Sequence, residues 1–95
     1  MQAVLEVRDK SGRTIHLSKE RWAHILMHPE MANKLEQIRE ALVAPLQIIQ
    51  FDIDPAVHFY YQYEKSMGCY LLVSVKYLNS HGFVITSFYT DSMRK

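Results

Sequence analysis

One cysteine, Cys69, is all that this 95-residue chain contains. No internal disulfide can form, and an intracellular, cytoplasmic protein is expected. No apolar run approaches the roughly 18 residues that a membrane helix needs. The first fifteen residues carry Glu6, Arg8, Asp9, Lys10 and Arg13 where a signal peptide would have an apolar core. No membrane association is therefore expected. A dominant charge is missing too: at a net charge of +1 no overall cationic field draws the chain to nucleic acid, so such binding must come from a local patch. Glycine is scarce, with Gly12, Gly68 and Gly82 each at a turn signal. That leaves no Gly-rich loop to cradle a nucleotide phosphate, and there is no G-x-S-x-G nucleophile elbow. No cofactor is expected.

What is present is an ordinary globular composition, 48% hydrophobic and 22% charged, in a chain of single-domain length spanning residues 1–95. The C-terminal third organises it. Cys69 to Tyr77 and Phe83 to Thr90 are runs of mostly β-branched and aromatic residues joined by a short Asn/Ser/His/Gly connection, which predicts a central β-hairpin. Side chains alternate across a strand, so Leu71, Val73 and Val75 face one side while Leu72, Ser74 and Lys76 face the other. A lysine on an otherwise apolar strand marks either a solvated sheet face or a face with a use for a fixed cation.

Upstream, Val4 to Leu17 alternates about the turn Asp9-Lys10-Ser11-Gly12 and predicts a short N-terminal hairpin at a sheet edge. Ser18 is the expected N-cap of a helix over 18–28, ended by Pro29. A second helix is expected over 30–43, and Pro45 stops it. Leu46 to Ile53 and Ala56 to Glu64 read as two further strands. The layout predicts an α+β fold in which two N-terminal helices pack on a four-stranded antiparallel sheet, preceded by the short hairpin. Trp22, Ile25, Leu26, Leu35, Ile38, Leu42, Val73 and Val75 are the expected core. Cys69 is expected to be a small buried hydrophobe.

Glu20, His24 and His28 follow one another at i, i+4 and i+8. Without further ligands fixed nearby this spacing does not define a metal centre, and none is expected. Either histidine can exchange protons near neutrality. Tyr60 and Tyr61 are adjacent and must face opposite sides of a sheet, so at least one shares the side of Lys76; Tyr61 is the candidate to stack a nucleobase there.

The blocks E-R-W-A-H-I-L-M-H-P-E-M (Glu20 to Met31), Y-L-L-V-S-V-K (Tyr70 to Lys76) and F-V-I-T-S-F-Y-T-D (Phe83 to Asp91) resemble small prokaryotic and phage proteins of the barnase, EndoU, colicin and RelE-like (BECR) nuclease superfold. The resemblance extends from Ile15 to Asp91. It implies metal-independent RNA cleavage, in which a 2′-hydroxyl attacks the adjacent phosphate, in a toxin or phage-defence protein with RNA as substrate and an antitoxin or immunity protein as partner. On the matching blocks, His24 or His28 would transfer protons, with His24 ranked first for its place inside a helix. Lys76 would hold the charge of the phosphorane and Thr86 would hydrogen-bond a phosphate oxygen. Ser74 and Tyr89 would contact substrate, joined by Tyr61 from the preceding strand, which the alternation of Tyr60 and Tyr61 puts forward. The hairpin register decides whether Thr86, or instead Ser87 and Tyr89, shares the Lys76 face. The competing expectation is a non-catalytic module that binds a protein or nucleic acid with the same face.

Overall fold

A hairpin of β1 (Ala3–Arg8) and β2 (Thr14–Ser18) opens the fold in the computed structural model, which describes residues 2–93. Helix α1 (Lys19–Ile25), a 3-10 turn (Pro29–Met31) and helix α2 (Leu35–Val43) follow. The chain ends in β3 (Gln47–Gln50), β4 (Val57–Glu64), β5 (Cys69–Leu78) and β6 (His81–Thr90).

The sheet is not the four-stranded antiparallel sheet expected from the sequence. It has six strands in the order β1-β2-β6-β5-β4-β3, because β2 joins the outer edge of β6 as a parallel neighbour through Thr14↔His81, Ile15↔Gly82 and His16↔Phe83. The hairpin cannot stand apart, since Leu5, Val7, Ile15 and Leu17 are all buried in the same core as the helices. Pairing with β6 lets them share the helix cover and supplies partners to an otherwise bare edge. β5 and β6 thereby occupy the middle of the sheet.

The helices are shorter than expected, for local reasons. Pro29 pushes His28 to extended geometry (φ −86°, ψ 111°). Asn33 then takes a left-handed conformation (φ 63°), so the start of the expected second helix becomes a separate 3-10 turn. Ser18 does cap α1, its side chain accepting the Arg21 N–H at 3.1 Å. Ile25, Met31, Ile38, Ala41 and Leu42 pack from the helices onto Leu71, Val73, Val75 and Val84. Trp22 and Leu35 are only partly buried against that core. Leu26 is 41% exposed, because α1 ends one residue before it, and Cys69 is half-buried at the start of β5.

One irregularity sets the face of every residue near the C-terminus. At the turn the hairpin pairs Tyr77 with Gly82 and Lys76 with Phe83, yet beyond a bulge at Ile85 it pairs Ser74 with Thr86. The extra residue restores the phase that the two-residue turn Asn79-Ser80 would have shifted. Thr86 therefore shares the outer face with Ser74 and Lys76, whereas Ser87 and Tyr89 lie opposite Val73 and Leu71 on the core face.

A polar network ties the first turn to the sheet on the core face. Tyr60 donates to the Tyr77 hydroxyl, and Tyr77 donates to Asp9 Oδ2 at 2.9 Å. The Arg13 guanidinium lies 3.7 Å over the Tyr77 ring and pairs with Asp9 at 3.3 Å. Burial pushes the Tyr60 and Tyr77 phenols up, so both stay protonated and the chain of donors is fixed.

Candidate functional site

Alternation along Thr14–Ser18 sends Ile15 and Leu17 into the core and leaves His16 on the outer face. Successive strand pairings then build one row across that face: Glu6 opposite His16, His16 opposite Phe83, and Phe83 opposite Lys76. His16 Nδ1 lies 2.9 Å from Glu6 Oε2, and its Nε2 lies 2.9 Å from His81 Nδ1. The two imidazoles stack at 5.0 Å, and His16 also stacks on Phe83 at 5.4 Å.

This geometry fixes the protons. A carboxylate can only accept, so a neutral His16 carries its proton on Nδ1 and presents a lone pair at Nε2. His81 must then donate from Nδ1, which leaves the His81 Nε2 lone pair for another partner. His81 is exposed. The arrangement is a carboxylate-oriented imidazole pair able to take up a proton.

Beside it is a cavity of about 270 Å³ lined by His16, Ser18, Arg21, Lys76, Phe83 and Ile85. Arg21 comes from the first turn of α1, placed there by the Ser18 cap. Lys76 comes from the middle of the sheet, where its ammonium meets Asp54 Oδ2 at 3.2 Å. Asp54 also accepts the Ala56 N–H. Its carboxyl is held below the usual value by Lys76 first and by that backbone bond second. Two cations, the His16 imidazole and an aromatic floor suit an anionic ligand carrying a planar ring.

The residues expected from the sequence are placed unequally. Lys76, Ser74 and Thr86 are on the outer face together, with Ser74 buried and Thr86 half-buried. Tyr61 is on that face too but fully buried, so its ring offers no surface for a base to stack on. Tyr89 is on the other face, its hydroxyl 3.3 Å from Glu64 and its ring 5.9 Å from the Lys34 ammonium. Burial and Glu64 push its phenol up to about 12. His24 is exposed in the last turn of α1, and His28 lies beyond the helix end with its ring 6.0 Å from that of Phe88. The helical i, i+4, i+8 spacing from Glu20 is therefore broken before His28. Among the described residues no group of three or more His, Cys, Asp or Glu side chains is arranged to hold a metal ion, and no helix is long and apolar enough to cross a membrane.

Sequence reasoning missed Glu6, His16, Arg21 and His81. The signal for His16 was the alternation T-I-H-L-S, which puts a histidine outside between two core residues. Nothing local links it to His81, whose position in the turn reads as solvated loop. No family model, curated protein or solved structure matches the chain, so function must be argued from the geometry of this site.

Proposed function

We propose that the chain is a metal-independent endoribonuclease whose reaction centre is the outer-face cavity. The observation that carries this reading is the Glu6–His16–His81 chain, in which His16 lines the cavity together with Arg21 and Lys76. His81 Nε2 takes the proton of a 2′-hydroxyl as its oxygen bonds to phosphorus. His16 and Glu6 hold the ring and spread the acquired charge. Arg21 and Lys76 face the non-bridging oxygens, where negative charge builds in the phosphorane. The P–O5′ bond breaks, and the departing oxygen takes a proton from the Lys76 ammonium; the proton that His81 acquired then returns through water to Lys76, which restores both groups. The products are a 2′,3′-cyclic phosphate and a free 5′-hydroxyl. Thr86, next along the same face, is a further donor to the RNA backbone. In this reading His81 and His16 take the proton-transfer role that the resemblance gave to His24 or His28.

The test is incubation of single-stranded RNA with the protein in EDTA, with end-group analysis of the products. Cleavage to cyclic phosphate ends is expected, with DNA of the same sequence left intact. His81→Ala should lower the rate about 10²-fold or more. Intact RNA that is nonetheless bound, with binding lost in Lys76→Ala, would overturn the enzyme reading in favour of a non-catalytic binding module on the same face.

A further inference from the structure

The edge strand β3 differs from the rest of the surface. Its inner side pairs with β4 from Gln47↔Tyr61 to Gln50↔His58, and it is the last strand of the sheet. Its outer row of N–H and C=O groups therefore meets no strand among the described residues. Strand edges are normally guarded by charge, proline or a bulge. Here no charged residue stands between Glu40 and Asp52, and β3 contains neither proline nor bulge. The far edge is different, since β1 carries Glu6 and Arg8. Exposed apolar side chains gather at the unguarded edge: Val43 is 48% exposed, Leu46 57%, Ile48 46% and Ile53 83%.

We propose that β3 is the interface of a homodimer, formed by antiparallel pairing of this strand with the same strand of a second copy. The lack of charge argues for a copy over a charged partner, because a charged segment would find nothing here to pair with. The strand Gln-Ile-Ile-Gln carries no charge, so an antiparallel copy brings no like charges together. A two-fold axis normal to the sheet at Ile48 places Ile48 opposite its counterpart, Gln47 opposite the partner's Ile49, and Leu46 opposite the partner's Gln50. Leu46, Ile48 and Ile49 are then brought against the partner's strand, so apolar side chains on both faces gain cover. A two-fold contact uses up the edge, so pairing through β3 stops at two copies. The cavity between His16 and Lys76 is lined by β2, α1, β5 and β6 and plays no part in this pairing.

Sedimentation velocity from low micromolar to near-millimolar protein tests the proposal. A reversible dimer is expected, and Ile48→Lys, which sets two ammonium groups face to face, should weaken it about tenfold or more. Ile48→Glu alone should weaken it likewise, while an equimolar mixture of the two variants should dimerise again because opposite charges now meet. Circular dichroism confirms that each variant is folded, and hydrogen exchange of the wild-type β3 amides should slow as concentration rises. A protein that stays monomeric throughout, or a dimer indifferent to both substitutions, would overturn the proposal.

Discussion

His16 Nε2 and His81 Nδ1 lie 2.9 Å apart although 65 residues separate them in the chain. The parallel pairing of β2 with β6 produces this contact, by setting His16 beside Phe83 and Thr14 beside His81. Glu6 completes the arrangement from β1 without any further fold element.

Glu6 acts through His16 and is a positioning residue. On the proposed ribonuclease reading, Glu6→Ala should lower the cleavage rate about tenfold, as loss of an orienting carboxylate does elsewhere. Glu6 is 57% exposed, so thermal stability should hardly change. Nitrogen NMR gives the separate readout: the His16 proton should reside on Nδ1 in the wild type and distribute between both nitrogens in the variant. An unchanged tautomer would remove Glu6 from the site.

The Asp9 network predicts a definite acid response. Burial alone would raise its carboxyl, but hydrogen bonds from Ser11, Tyr77 and Arg13 outweigh that and hold it below the ordinary 3.8. A depressed folded value means stability that is present above 3.8 and lost as pH falls through the folded value. The Tm deficit of Asp9→Asn should therefore be widest above pH 3.8 and narrow below it. His58 adds an earlier step. Burial first, then Arg13, keeps its ring below the usual 6.5, so the unfolded chain protonates first as pH drops past 6.5 and stability declines there. His58→Gln should flatten that part of the curve. A parallel offset between wild type and Asp9→Asn at every pH would contradict the assignment.

Gly82 is held to glycine by close approach. A Cβ there would stand 2.8 Å from Tyr77 Cε1 and 3.0 Å from Val75 Cγ1. The Tyr77 ring cannot move aside without leaving Arg13 and Asp9. Gly82→Ala should cost about 1–3 kcal/mol in urea denaturation. A loss under about 0.5 kcal/mol would show that the ring yields freely, and that its link to the first turn contributes little.

The local sequence determined the elements of this protein. Alternation about Asp9 to Gly12 gave the first hairpin, and Ser18 and Pro29 bounded α1. The two apolar runs after Gly68 gave the central strands, because capping, proline sterics and side-chain alternation act within a few residues. The same rules put Lys76, Ser74 and His16 on the sides of their strands that they occupy. The tertiary structure alone decided which strands meet. Pairing of β2 with β6 depends on burying Leu5, Val7, Ile15 and Leu17 under helices that come later in the chain, and no local pattern encodes that requirement. It made a six-stranded mixed sheet where four antiparallel strands were expected, and it created the row from Glu6 to Lys76. The bulge at Ile85 likewise arises from fitting a two-residue turn to two faces that must both be satisfied. Register is a property of the pair of strands, so neither strand's sequence could show by itself that Thr86 would join Lys76 while Tyr89 faced the core.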